Sequence, residues 1–402
     1  MAVVLDGIRV VDMTVFYQGP VACRYLADFG AEVIKVEPLE GEVARGLQQH
    51  GILPMKEWNS YYYNNNRNRK SLAINLTKEE GKQIVYKLVE KSDVFVSNYR
   101  FTGLQRLKMD YQTLYQVNPR LIYAASTGFG YYGPDRDKAA FDPIAEARVG
   151  IMSYLGEEGQ PPVYPGWGAG DMMGAILTSL GIVLALYHRQ KSGDGQRVAA
   201  SLFGGCIFAA APFLQPYLST SRQDLLHQPS RKARRNPLCN VYPTKDKWCY
   251  FYVPNSQKFW SKFCQALGMK ELEDDPRFNT SENRSDNSSQ LISILDSVLT
   301  TKSAVEWVKR YHEEGLLIMP VNSFEDLSRD PGAWENQYLV EIDDPRWERR
   351  KTTGLVAQLS KTPGETGIFG PELGQHNEEI LIDLLGYTWD QIVSLKDEGV
   401  IL

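Results

Sequence analysis

The chain has 402 residues, 43% of them apolar and 23% charged, a composition typical of folded rather than disordered chains. A formal net charge of -5 at pH 7 argues against general nucleic-acid binding, which needs clustered Lys and Arg to neutralise phosphates; the one basic run, Arg231–Arg235, reads as a solvated loop. Five scattered cysteines without a CxxC pair, and only five histidines, indicate neither a disulfide framework nor a zinc site, so no metal is expected.

The N-terminal stretch MAVVLDGIRVVDM lacks the basic and apolar regions of a signal peptide, and a cytoplasmic location is expected. It leads into strand, helix and strand: IRVVDM, then GPVACRYLADFG with Pro20 near its start and Gly30 at its end, then EVIKVE. A parallel βαβ unit of this kind opens doubly wound sheets. The turn after the first strand holds only Gly19, so the GxGxxG of a dinucleotide site is missing. Next, TKEE at Thr77–Glu80 matches a capping box before a helix with apolar positions Ile84, Val85, Leu88 and Val89. DVFVSN and RLIYAAS add strands on either side of a helix at YQTLYQV, giving four strands before Gly128. The expected class is α/β, with a mostly parallel, Rossmann-like sheet in a large domain.

After Ser126, TGFGYYGPDRDKAAFD is a long loop rich in Gly and aromatics, a usual seat of function. In GWGAGDMMGA, Gly166–Ala175, one carboxylate, Asp171, stands among glycines and alanines ahead of an apolar run. Two readings stay open for it. Asp171 is a helix N-cap, or it is a nucleophile in a dry pocket, where small neighbours admit a substrate and the N–H groups of Met172 and Met173 hold an oxyanion. The apolar stretches Met172–Tyr187 and Val198–Tyr217 read as buried helices of a large soluble core that also suit a subunit interface. The first is shorter than the roughly 20 residues of a membrane span, and the second contains Pro212. No membrane or nucleic-acid partner is expected.

Beyond a polar linker at residues 223–236, NVYPTKDKWCYFYVP alternates like a hairpin. QKFWSKFCQALG and AVEWVKRYHEEG read as helices, and IMPVNS as a strand. Residues 237–323 are expected to form a smaller α+β domain, set between residues 1–222 and 324–402 of the large one. The tail carries two helices broken at Gly386, the second opened by a capping box at Thr388–Gln391.

Taken in order, LDGIRVVDMT…GPVACRYLADFGAEVIKVE (Leu5–Glu37), NRNRKSLAINL (Asn66–Leu76), SNYRFTGLQRL (Ser97–Leu107), STGFGYYGP, FDPIAEARVG, GDMMGAILTSLGIVLALYHRQKSGDGQRVAASL and ELGQHNEEIL resemble the class III CoA-transferases. This is the formyl-CoA and carnitine CoA-transferase (CaiB/BaiF-like) group, and the resemblance runs the whole length. It implies that Asp171 attacks an acyl-CoA thioester, giving an aspartyl anhydride and then an aspartyl-CoA thioester before an acceptor acid exchanges in. It implies acyl-CoA and a small carboxylic acid as substrates, no permanently bound cofactor, and two chains interlocked as a homodimer. By the same carry-over, coenzyme A contacts fall on Val15, Tyr17 and Gln18, on Arg69 and Lys70 with the backbone near Leu72 to Leu76, and on Asn98, Tyr99 and Arg106. Basic side chains there suit the phosphates. Tyr131 and Tyr132 become a lid, with Phe141 and Asp142 on the substrate side; Asp142 either orients Asp171 or caps the helix beginning at Pro143.

Two departures narrow the chemistry. The formyl enzyme has Gln where this chain has Tyr17, and a glycine run that is missing here, so formate and oxalate are not the expected acids. The racemase branch, resembling α-methylacyl-CoA racemase, places His before the aspartate of FD. Here that residue is Phe141, which cannot exchange a proton. A racemase-like isomerase is therefore the second reading and a non-catalytic acyl-CoA-binding protein the third, against which Asp171 counts. The aromatics of EWNSYYYNNN, Trp167 and the two-tyrosine loop suggest an aryl or 2-hydroxy acid. The likeness of STGFGYYGPDRDKAAFD to the family's phenyllactate and 2-hydroxyacid branch points the same way.

Overall fold

The structure, a computed structural model, describes residues 3–47, 58–157, 159–226 and 230–402; Glu57 of the aromatic stretch lies outside the described residues. Six strands, β1 (Arg9–Met13), β2 (Glu32–Glu37), β3 (Arg69–Ala73), β4 (Val94–Ser97), β5 (Ile122–Thr127) and β6 (Arg197–Ser201), form one sheet in the order β3-β2-β1-β4-β5-β6. Every pairing in it is parallel. In sheets of this order, ligand crevices open at the carboxyl ends of the strands where the winding reverses, here between β1 and β4. The helices that accompany the sheet are α1 (Gln18–Asp28), α2 (Ser60–Asn65), α3 (Glu79–Glu90), α4 (Phe101–Leu107), α5 (Tyr111–Val117), α6 (Asp142–Val149), α7 (Ile151–Tyr154), α8 (Ala169–Ser192) and α9 (Leu202–Thr220). With both faces of the sheet covered, its central strands are apolar on both sides: Val10, Val11, Val94, Phe95 and Val96 are all buried.

Two local expectations fail for visible reasons. β3 is a fifth strand before Gly128. Its Arg69 and Ser71 are polar yet buried, bonded to Asp12 and to Glu37, which hides the strand pattern. The capping box at Thr77–Glu80 does not form: α3 begins at Glu79 behind Lys78, and the Thr77 hydroxyl donates to Asn75 Oδ1 at 2.6 Å instead. At Thr388 the box does form, with the hydroxyl accepting Gln391 N–H and the Gln391 side chain accepting Thr388 N–H.

The long apolar stretches are one-sided rather than buried all round. α8 turns Ala175, Thr178, Ile182, Ala185 and Leu186 inward, against α1 and the sheet, and leaves Ile176, Leu180, Val183, Leu184 and Tyr187 exposed. α9 leaves Ile207, Phe208, Phe213 and Leu218 exposed, and the first residues of its stretch, Val198–Ser201, belong to β6. By length and composition alone, both helices could cross a membrane.

Among the described residues the chain divides into two compact units, Met1–Ile151 with Tyr164–Leu218 and Gly332–Leu402, and Met152–Val163 with Ser219–Pro331. The second unit is wider than residues 237–323 and takes in the stretch 223–236, of which 227–229 lie outside the described residues. It contains an antiparallel sheet of β7 (Cys239–Pro243), β8 (Trp248–Tyr252) and β9 (Leu317–Pro320). Its core is built on Phe251, Trp260, Phe263, Leu295, Trp307 and Tyr311. Within it, Arg231 of the basic run is not simply solvated: it pairs with Asp296 and lies 5.1 Å from the Trp248 ring centre.

Candidate active site

Asp171 is the third residue of α8, in its first turn, and does not cap it; Gly168 takes the N-cap with φ 72°, a left-handed conformation glycine adopts without strain. A helix start leaves N–H groups without partners, and here another helix supplies them. Glu146 Oε1 of α6 accepts Ala169 N–H at 3.1 Å, and Asp142 Oδ1 accepts Gly170 N–H at 2.7 Å and Asp171 N–H at 3.1 Å. Of its two foreseen roles, capping its own helix is not the one Asp142 takes: α6 opens behind Phe141 without a side-chain cap, and Asp142 holds the backbone of Asp171. Met172 N–H is spent on Gly168 O at 2.8 Å, and Met173 lies inside the helix. Neither is an oxyanion donor, contrary to the sequence expectation.

With its capping work done elsewhere, the Asp171 side chain faces a cavity of about 530 Å³, within the usual range for small-molecule sites. Aromatic walls come from Phe16, Tyr17, Tyr61, Tyr99 and Phe141, and cations from Arg100, Arg136 and Lys138. One wall is the segment between β1 and α1. Asn98 clamps Val15 on both sides, accepting its N–H at 2.9 Å and donating to its carbonyl at 2.7 Å. Phe16 has φ 64°, which costs a residue with a side chain about 1–2 kcal/mol, and Glu42 Oε2 holds it there by accepting Phe16 N–H at 2.9 Å. Glu42 is itself buried against Lys35 Nζ at 3.1 Å, which also donates to Thr14 O at 2.7 Å. Gln18 is buried, and its Nε2 has no hydrogen-bond partner. Gly174 lies opposite: a Cβ there would fall 2.2 Å from that nitrogen, so the close approach of Gln18 to α8 requires glycine.

Burial first, then the charge of Asp142, lifts the Asp171 carboxyl to about 7 against the opposing backbone hydrogen bond of Gln18. Burial likewise pushes the Tyr61 phenol well up, with Asp171 adding to it. A second cavity of about 370 Å³, lined by Glu37, Pro38, Leu39, Ile74, Asn75, Leu76 and Leu107, shares Tyr99 with the first.

Of the sequence candidates, Val15, Tyr17, Gln18, Asn98, Tyr99, Phe141 and Asp171 meet at the larger cavity. Arg69 does not: its side chain is fully buried, paired with Asp12 at 2.5 Å and bonded to Asn66 and the Asn65 carbonyl, walled off from any phosphate. Lys70 is committed to Glu32 at 2.7 Å and Glu379 at 2.8 Å. Of the stretch Leu72–Leu76, Leu72 sits in the core and Ile74–Leu76 line the second cavity. Arg106 is exposed beside Leu107 of that cavity. Tyr131 and Tyr132 are not in the cavity lining: they pack on each other, with Arg197 3.7 Å from the Tyr131 ring centre and donating to the Tyr132 hydroxyl, while Arg136 and Lys138–Phe141 of the same loop supply the lining. Trp167 is exposed and outside the lining. Of the aromatic run EWNSYYYNNN, Tyr61 lines the cavity, whereas Glu146 was not foreseen, because in sequence it looks like an ordinary helix-surface acid. Among the described residues no group of three His, Cys, Asp or Glu is arranged to hold a metal ion.

Comparison with known proteins agrees with this geometry. The profile of CoA-transferase family III matches residues 5–377. Succinyl-CoA–D-citramalate CoA-transferase of Chloroflexus aurantiacus is 33% identical over 409 residues, covering 99% of this chain and 98% of its own. Cinnamoyl-CoA:phenyllactate CoA-transferase of Clostridium sporogenes is 30% identical over 404 residues, covering 99% and 97%. A solved CAIB/BAIF family protein from Brucella suis superposes with a TM-score of 0.85 at 26% identity, over 96% of this chain and 100% of that one. With the family profile and full-length relatives both in agreement, the chain belongs to CoA-transferase family III and is an enzyme of that class.

Proposed function

We propose that the enzyme moves CoA from an acyl-CoA to a carboxylic acid by covalent catalysis on Asp171. The observation that carries this reading is one carboxylate, raised to about 7, facing a cavity that shares a wall with a second one. In the reaction an Asp171 oxygen attacks the thioester carbonyl, the C–S bond breaks, and CoA thiolate leaves a mixed anhydride. The thiolate attacks the aspartyl carbonyl, expelling the donor carboxylate and forming an aspartyl-CoA thioester. The acceptor carboxylate attacks that thioester, again releasing the thiolate, which takes the acceptor acyl group and restores Asp171. A desolvated carboxylate is a far better nucleophile than a hydrated one, and water held away spares the anhydride.

The second cavity suits the nucleotide end of CoA, with backbone at Ile74–Leu76 and Arg106 close by for phosphate, and Tyr99 marks the way to Asp171. The aromatic lining supports an aryl or 2-hydroxy acid. Citramalate and phenyllactate, named for the two relatives, are both 2-hydroxy acids. Racemisation needs a proton-exchanging pair, and the described lining contains no histidine, with Phe141 where one would serve. The exposed apolar faces of α8 and α9 support assembly as a homodimer.

The test is trapping. Protein mixed with acyl-CoA and then hydroxylamine is expected to carry a hydroxamate on Asp171, seen by peptide mass spectrometry, and Asp171→Ala is expected to lose transfer by several orders of magnitude. A variant that still transfers CoA overturns the mechanism. Deuterium entering the α-carbon without CoA exchange supports the isomerase instead.

A further inference from the structure

Three carboxylates crowd the start of α8, and one of them has an oxygen with nothing to bond. Glu146 is fully buried. Its Oε1 accepts Ala169 N–H, but Oε2 is shut off from solvent and finds no N–H or O–H donor. Glu146 and Asp142 stand four residues apart on α6, so their side chains share a face. An ionised oxygen buried without a donor is costly. Two carboxylates in contact are an acceptor facing an acceptor, unless one carries a proton.

Among the described residues no cation pairs with Glu146 or Asp142. The titratable groups acting on Glu146 and its neighbours are Asp142 on α6, Asp171 on α8, the Cys206 thiol on α9, the Tyr164 hydroxyl, 3.5 Å from Asp142 Oδ2, and, on the Asp171 side, Tyr17 and Tyr61. Arg148, also on α6, is turned away to Asp135 and the rings of Phe129 and Phe203. The hydrogen bonds decide which carboxyl is neutral. Asp142 Oδ1 accepts two backbone N–H groups and Glu146 only one, and such bonds favour the charged form. Burial first, then the Asp142 charge, pushes Glu146 upward, in the same direction.

We propose that Glu146 is a positioning residue that works as a neutral carboxylic acid: its Oε2–H donates to Asp142, which stays ionised over the first turn of α8 and leaves Asp171 to be the attacking anion. This rests on the reading of Asp171 as nucleophile. Glu146 exchanges no atom with the substrates; its proton stays on it through the cycle. When rising pH removes it, Asp142 loses its donor, a third charge appears, and the start of α8 is disturbed.

The experiment compares Glu146→Gln and Glu146→Leu with the wild type. Gln offers an N–H where the acid offers O–H, so it is expected to keep kcat within about threefold at pH 7 and to abolish the fall in kcat at alkaline pH. Leu fills the space without a donor and is expected to lower kcat about tenfold, as for a buried acceptor stripped of its donor, with KM for acyl-CoA little changed. An infrared difference spectrum between wild type and Glu146→Gln reads the acid directly, even where a variant is inactive. A protonated-carboxyl carbonyl band present in the wild type and lost in the variant supports the proposal. No such difference, or an alkaline fall that persists in Glu146→Gln, overturns it. Hydroxylamine trapping on the wild type keeps the two readings apart: absence of label at Asp171 defeats the nucleophile, whereas label at Asp171 with a failed Gln rescue defeats only the role of Glu146.

Discussion

A carboxylate in the first turn of a helix ordinarily gains from the amide dipoles. At Asp171 those amides are already engaged by Asp142 and Glu146, so burial and like charge prevail. In the proposed mechanism only the anion attacks, so kcat/KM is expected to rise as pH passes through about 7, measured on wild type with a saturable acyl-CoA donor. Stability should run the other way. The folded value lies above the ordinary 3.8, so the protein bears no penalty from this group at pH below that value. The penalty grows as pH rises between the two values and is complete above about 7. Asp171→Asn is thus expected to be inactive yet to melt higher than wild type at pH 8, and to match it at pH 4. Gly174→Ala is expected to cut activity at least tenfold with little loss of stability on the same melting assay, because its methyl displaces the Gln18 side chain from the first turn of α8. At this scale the sequence made the acid visible, since a lone Asp among glycines is unusual text. It could not show the fate of Arg69. A basic residue in a strand reads the same whether it meets a phosphate or, as here, Asp12 in a strand 57 residues earlier.

Among the elements, the β1–α1 segment does most to shape the cavity, and it is held from beneath. Lys35 on β2 and Glu42 after it form a pair with side chains 0% and 1% exposed. Removing one partner of such a pair leaves a buried charge alone, at a cost of about 3–5 kcal/mol. Glu42→Ala also strips the acceptor from Phe16 N–H. A loss of stability of that size by urea unfolding is expected, together with a raised KM for acyl-CoA; a variant as stable as wild type would remove the segment's strain from the account. β1, β2, β4 and β5 were legible from periodicity, because burial on both faces writes apolar runs there, whereas β6 was hidden at the head of the apolar stretch Val198–Tyr217 that reads as one helix. β3 was not legible, because its inward positions are filled by polar groups whose partners lie on other strands. The capping box at Thr77 misled for a similar reason: Asn75, two residues back, competes for the same hydroxyl.

For the molecule as a whole, the exposed apolar faces of α8 and α9 predict association. Sedimentation is expected to give twice the chain mass of 45.5 kDa, and a Leu184→Asp, Phe208→Asp double variant to shift toward the single-chain mass. Sequence text could not separate a helix buried in its own chain from one buried against a copy, since both are apolar nearly all round. A last consequence follows from where α8 stands in the winding: it is the connection that delivers β6, the final strand of the sheet. Asp171 therefore comes to rest beside Gln18 and Asn98 only when α8 has packed over the strands that precede it in the chain. The proposed nucleophile thus joins the rest of the cavity lining only with the element that completes the edge of the sheet.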